Sequence, residues 1–188
     1  AMKQMDSEVF REMIDKTSFA VSTDETRYNI NGFLLENSGG SMKMVATDGH
    51  RLALITREGV SVDSENKESV LLPRKGVMEM KKVLDEKEGP FLLGITQKNA
   101  VMKRENTVII IRLLEGEFPD YTRVIPKDND KDAIAVRAEL LSSLKRVSLL
   151  STDKVKGVKF SFSNSKLVLS SSSPDIGEAT EEVDVEYP

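Results

Sequence analysis

The chain has 188 residues, enough for one or two domains with a buried core. Lys and Arg total 27 against 31 Asp and Glu, a net charge of −4 that excludes a uniformly basic nucleic-acid coat. At 39% hydrophobic and 31% charged, with no run near the roughly 20 apolar residues of a bilayer span, the composition reads as a cytoplasmic globular protein. Zero Cys and one His remove disulfides, thiolate nucleophiles and the usual transition-metal sites, so neither a metal nor a cofactor is expected.

In chain order, Val9, Phe10, Met13 and Ile14 recur at helical spacing behind Asp6 or Ser7, which predicts an amphipathic helix over residues 7–19. Short apolar pieces follow at Ile30, Phe33-Leu34-Leu35, 42–45 and 52–55, broken by Asn37-Ser38-Gly39-Gly40; they predict three strands, the first two a hairpin. After a polar loop at 63–67 comes a short strand, 69–72, and Pro73 opens a second helix with Val77, Met80, Val83 and Leu84 inward. Charge, glycine and proline at 85–90 end it, and 91–95, 100–104 and 107–113 read as three more strands. Residues 115–121 break the pattern and 126–131 are proline-flanked and charged, which places a boundary between domains of 1–125 and 126–188. Beyond it lie a strand at 133–136, a helix at 138–150 with Leu140, Leu141, Leu144 and Val147 on one stripe, and strands near 155–162, 166–171 and 178–187.

The second region repeats the start of the first. Ser22-Thr23-Asp24 recurs as Ser151-Thr152-Asp153, each after an amphipathic helix and before a hairpin-like pair, and with a one-residue slip Phe10, Ile14 and Ser18 align with Leu140, Leu144 and Ser148. The expected fold class is therefore α+β, with repeated units of helices packed on antiparallel sheets: one complete unit, then about half of another with an unpaired sheet edge.

Three segments carry candidate chemistry. His50 lies in Thr47-Asp48-Gly49-His50-Arg51-Leu52, where it is either a general base oriented by Asp48, as in a small hydrolase, or the rim of an Asp-Gly turn. No Gly-x-Ser-x-Gly elbow, Walker loop or dinucleotide fingerprint accompanies it. Phe118, Pro119, Tyr121, Arg123 and Val124 put apolar bulk and one guanidinium where a linker would ordinarily be polar; they either pack the linker onto the preceding domain or line a shallow pocket for a short peptide. The second helix carries Arg74, Lys75, Lys81 and Lys82 against Glu79, a solvated face or a phosphate-facing one, while residues 174–188 hold six acids and no base.

Residues 45–53, Val-Ala-Thr-Asp-Gly-His-Arg-Leu-Ala, resemble the signature of the middle domain of the bacterial replicative sliding clamp, the beta subunit of DNA polymerase III. Residues 114–126, Leu-Glu-Gly-Glu-Phe-Pro-Asp-Tyr-Thr-Arg-Val-Ile-Pro, resemble that family's crossing into its third domain, and Pro73-Arg74-Lys75-Gly76-Val77 is a third match. The resemblance implies a DNA-clamp fold and a non-catalytic processivity factor: a ring of two identical chains, each of three similar domains, with helices lining the hole. On it, the sequence starts where the middle domain starts and stops midway through the third, a fragment of the clamp. It implies a peptide pocket shared by the two domains, with walls at Ile30, Thr47, Gly49, Leu52, Pro119 and Val124 and with His50, Arg51 and Arg123 on the polar side. Short linear motifs from the DNA polymerase III alpha subunit, clamp loader, other polymerases and mismatch-repair proteins would occupy it. It further implies duplex DNA facing Arg27, Tyr28, Arg74 and Lys75, with Lys145 and Arg146 from the third-domain helix, and a homodimer interface at Leu149 and Leu150. An unrelated α+β adaptor is the remaining alternative, distinguishable by whether 47–52 and 118–124 lie far apart.

Overall fold

A computed structural model describes residues 2–38, 40–62, 69–150, 157–175 and 177–187. It divides into two compact units, Ala1–Tyr121 and Thr122–Pro188.

The first unit runs β1 (Lys3–Asp6), α1 (Ser7–Thr17), β2 (Gly32–Ser38), β3 (Ser41–Thr47), β4 (Leu52–Glu58), β5 (Ser69–Pro73), α2 (Arg74–Asp85), β6 (Pro90–Ile95), β7 (Asn99–Arg104) and β8 (Thr107–Arg112). Asp6 caps α1 by accepting from the Glu8 and Val9 amides at 2.7 and 3.2 Å, and Thr17 returns its hydroxyl to the Met13 carbonyl at 2.7 Å where the helix tightens into a 3-10 turn, Ser18–Ala20. That turn ends the regular helix two residues before the predicted limit. Pro73 sits outside α2 as its N-cap residue, and Lys3–Asp6 forms a strand that the sequence pattern does not announce, because Met5 is the only apolar residue in it.

Two four-stranded antiparallel sheets, ordered β1-β6-β7-β8 and β4-β3-β2-β5, close over one core. Phe10, Met13 and Ile14 of α1 meet Val77, Met80 and Leu84 of α2 between the inner faces of the sheets, which supply Phe33, Leu35, Met44, Leu72, Phe91 and Leu93. Burying such side chains contributes about 1.5–3 kcal/mol each. α1 lies over β4 and β3, its own strands, whereas β2 and β5 are covered by α2. At Gly76 the helix comes close to β8: a Cβ there would meet the Ile111 side chain at 2.5 Å.

The order of elements exposes a duplication inside this unit. β1-α1-β2-β3-β4 and β5-α2-β6-β7-β8 are the same strand–helix–three-strand module, and each lends its first strand to the other's sheet: Met5 pairs with Phe91, and Leu72 with Phe33. The sequence reading placed the repeat between the two units only; two modules with so few shared residues are recognised by their order and pairing.

The second unit is a third module: β9 (Ile134–Ala135), α3 (Arg137–Val147), β10 (Lys159–Ser163), β11 (Lys166–Ser173) and β12 (Gly177–Glu186), in a sheet ordered β10-β11-β12-β9. Its core is Val147, Leu167, Leu169, Val183 and Val185, with Leu140 and Leu144 packed against it. Leu141, expected on the same stripe, is exposed instead: α3 touches its sheet along one narrow side, and the position inward between Leu140 and Leu144 belongs to Ser143. Ser151-Thr152-Asp153 and the start of the strand predicted at 155–162 lie outside the described residues. No helix among the described residues is long and apolar enough to cross a membrane.

Candidate functional site

The loop joining β3 to β4 is fastened by its own polar atoms. Asp48 accepts from the His50 and Arg51 amides at 2.9 and 3.0 Å and from Arg51 Nε at 3.0 Å, while Thr47 Oγ1 donates to the Arg51 carbonyl at 2.7 Å and accepts from the Gly49 amide at 3.0 Å. The His50 amide first, with help from Arg51, holds the Asp48 carboxyl below its ordinary value. Gly49 has φ +90°, and the Arg27 guanidinium, donating to the Asp48 carbonyl at 2.9 Å, occupies the space that a Cβ would need. This geometry removes the support for a His/Asp hydrolase: the carboxylate is spent on the loop backbone and Arg51, and His50 stands exposed without it. Among the described residues, no group of three or more His, Asp or Glu is placed to hold a metal ion.

The outer face of the β4-β3-β2-β5 sheet carries a second apolar cluster, Leu34, Val45, Leu71 and Tyr121, with Leu52, Leu114 and Phe118 against it. Leu34 and Val45 alternate with the core residues Phe33, Leu35, Met44 and Ala46, so β2 and β3 are apolar on both faces. Phe118 and Tyr121 meet edge-to-face at 6.4 Å. The Tyr121 hydroxyl donates to Glu36 Oε2 at 2.6 Å and accepts from Lys43 Nζ at 3.3 Å. Burial, and Glu36 accepting its proton, keep that phenol above its ordinary value and neutral. Leu52, at the end of the Thr47–Leu52 loop, thus shares a cluster with Phe118 from the segment that the sequence set apart. Neither neighbour in sequence predicted the Glu36–Tyr121–Lys43 latch; tyrosine flanked by turn residues was its only trace.

Of the remaining residues expected in the pocket, Ile30 is fully buried and Thr47 nearly so, His50, Arg51 and Pro119 are exposed, and the Arg51 guanidinium lies 6.0 Å from the Phe19 ring centroid. Arg123 and Val124 belong to the second unit, where Val124 is exposed.

The expected DNA-facing residues of the first unit lie on neighbouring segments. Lys75 Nζ meets Glu25 Oε1 at 2.7 Å and the Arg74 amide donates to the Asn31 carbonyl at 3.2 Å, which ties the loop bearing Arg27 and exposed Tyr28 to the start of α2. The first turn of α2 has two cations, no acid and no side-chain cap, a placement that opposes the helix dipole and raises the local positive potential. In the second unit Arg146 is bound two-pronged to Glu181 at 2.8 and 2.6 Å, and Lys145 is exposed. Leu149 is exposed and Leu150 half-buried.

A module of one helix on antiparallel strands used three times, with a tyrosine latch on the outer face of one sheet, a tight polar loop and a basic start to α2, defines a protein built by internal duplication. Residues 4–120 match the family model of the DNA polymerase III beta subunit central domain, and residues 122–188 that of its C-terminal domain; the chain belongs to the DNA polymerase III beta subunit family. It is 37% identical over 177 residues to the beta sliding clamp of Pseudomonas aeruginosa, covering 94% of this chain and 48% of that protein. The crystal structure of the Pseudomonas aeruginosa clamp with ligand superimposes with a TM-score of 0.93 at 35% identity, over 100% of this chain and 51% of that one. A Bartonella birtlesii clamp bound to griselimycin gives 0.92 at 32% identity, over 100% and 51%. The chain spans about half the length of the relatives it matches.

Proposed function

We propose that this chain is part of a bacterial sliding clamp, a non-catalytic processivity factor acting in the cytoplasm, and that its outer-face cluster serves as a seat for short apolar peptides. The observation that carries this is the joining of Leu52 and Phe118 in one cluster beside the Thr47–Leu52 loop. Around that cluster Thr47, Gly49 and Pro119 supply further wall, with Ile30 behind it, and His50 and Arg51 supply exposed donors at its rim. Arg123 and Val124 are the two residues the family resemblance adds from the following segment. The polymerase alpha subunit, clamp loader, other polymerases and mismatch-repair proteins are the partners proposed to present such peptides.

In the whole protein, two chains would encircle duplex DNA. Arg27, Tyr28, Arg74, Lys75 and Lys145 would face phosphates, with Arg146 held back by Glu181, and Leu149 and Leu150 would contribute to the subunit interface. Sequence-independent, salt-screened contacts permit sliding, because base-edge contacts would arrest it.

The test is titration of the isotope-labelled chain with a Gln-x-x-Leu-Phe peptide. Chemical-shift changes are expected at residues 47–52 and 118–124 and are expected to vanish for Leu52→Asp. Changes confined elsewhere, or none at millimolar peptide, would overturn the reading.

A further inference from the structure

The two modules of the first unit can be laid over each other by their strand pairings. Met5 opposite Phe91 and Leu72 opposite Phe33 make Leu92 on β6 the counterpart of Leu34 on β2. Carried along the hairpins, Val101 and Lys103 of β7 correspond to Lys43 and Val45 of β3, and Val108 and Ile110 of β8 correspond to Leu54 and Thr56 of β4. These positions form the outer faces of the two sheets, because the residues between them, Ala100, Met102 and Ile111 in the second module, are buried in the shared core.

The two outer faces are furnished differently. On the first, Leu34, Val45 and Leu71 share a cluster with Phe118 and Tyr121 from the segment after β8, and the Tyr121 hydroxyl is bonded to Glu36 and Lys43. On the second, Gly94 and Val101 stand where Glu36 and Lys43 do, and Ile110 stands for Thr56, so aliphatic side chains replace the polar latch. Leu92 and Val101 are half-buried there, whereas Val108 is 54% exposed and Ile110 67%, a contiguous apolar patch and not scattered single residues. Exposed Lys103 lies opposite Val108, and Arg112 ends β8 with only the exposed Glu115 beside it at 3.2 Å, a pair worth little in water. Glu105 in the β7–β8 turn is paired with Lys87, and Asp6 at the far edge caps α1. On a chain of net charge −4, this face therefore presents two cations and no uncommitted carboxylate.

We propose that the outer face of β6, β7 and β8 is a docking surface for an acidic, apolar segment of a partner protein, laid across Leu92, Val101, Val108 and Ile110 with its carboxylates toward Lys103 and Arg112. Two observations fix that chemistry. The sister face shows what this module takes there: residues 115–121, Glu-Gly-Glu-Phe-Pro-Asp-Tyr, a segment with two aromatic side chains and three acids. The charge of the uncovered face is complementary to such a segment. A second copy of this chain fits less well, because stacking the face on itself sets Lys103 and Arg112 against their like. The surface belongs to the β1-β6-β7-β8 sheet, whereas the Thr47–Leu52 loop belongs to the other, so the site is additional to the peptide seat proposed above.

The probe is the free peptide Glu-Gly-Glu-Phe-Pro-Asp-Tyr, a copy of residues 115–121, titrated at low salt into the isotope-labelled chain. Chemical-shift changes are expected at residues 92–94, 101–103 and 108–112. Lys103→Glu and Ile110→Ser, both at exposed positions and so compatible with the fold, are each expected to weaken binding at least roughly tenfold. The same peptide with Lys in place of its three acids is expected not to bind. Leu52→Asp is expected to leave the titration unchanged, which separates this surface from the peptide seat near the Thr47–Leu52 loop. Absence of shifts at these residues with millimolar peptide, or equal binding of the charge-reversed peptide, would overturn the proposal. So would shifts confined to residues 34–54 and 114–121, where the peptide would merely displace its own copy, or self-association of the chain that Ile110→Ser abolishes.

Discussion

Asp48 concentrates the electrostatics of the loop in one carboxylate. Its backbone bonds from His50 and Arg51 favour the ionised form, so its folded-state value lies below the ordinary 3.8. A lowered folded value means that the stabilisation is fully present above the unfolded value and is lost as pH falls through the folded one. Asp48→Asn is therefore expected to cost about 1 kcal/mol near neutrality and nothing at the most acidic pH at which the protein is still folded. Urea unfolding at neutral pH and below pH 3.8 checks this; an equal loss at both would show that the carboxylate's charge is not what fastens the loop. His50 enters this through its backbone amide and not through its imidazole.

At the scale of elements, the segment after β8 is held to the outside of a sheet and not to its core. Tyr121 joins β2 through Glu36 and β3 through Lys43, and Phe118 packs on the same face. Tyr121→Phe keeps the ring contacts and removes one hydrogen bond to a charged group, so a loss of about 1–2 kcal/mol is expected. Amide exchange of residues 114–121 should rise with it, while that of β6–β8 should not. A variant as stable as the parent would mean that the Glu36–Lys43 pair, 3.5 Å apart, takes up the loss alone. The helices divide similarly by role. α1 spends Glu12 and Asp15 on Arg57 and Lys81, whereas α2 begins with two cations against its dipole. Of the two helices in this unit, then, only the start of α2 is shaped for an anionic partner.

For the whole molecule, the two units differ in how completely they are closed. The first buries two helices between two sheets, with Phe10, Phe33 and Phe91 fully or almost fully inside; among the described residues of the second, the buried apolar core is Val147, Leu167, Leu169, Val183 and Val185 under one helix. Local opening follows buried apolar contact. Amides of β10–β12 are expected to exchange at least roughly tenfold faster than those of β2–β4. Hydrogen exchange measures this; equal protection in the two units would contradict the difference in closure.

The sequence by itself determined the identity of most elements, because helices and strands are written in local periodicity: Phe10, Met13 and Ile14 mark α1 whatever surrounds them. It also marked the Thr47–Leu52 loop, whose Asp-Gly turn chemistry is local, and the family, whose motifs are contiguous. Tertiary structure decided what depends on residues far apart in the chain. It made a strand of Lys3–Asp6 through pairing with β6, turned Leu141 outward while Leu140 faces in, joined Leu52 to Phe118, and revealed that the first unit is two modules exchanging strands. Periodicity records which residues are apolar. Which surface covers them is set by partners that only folding brings near.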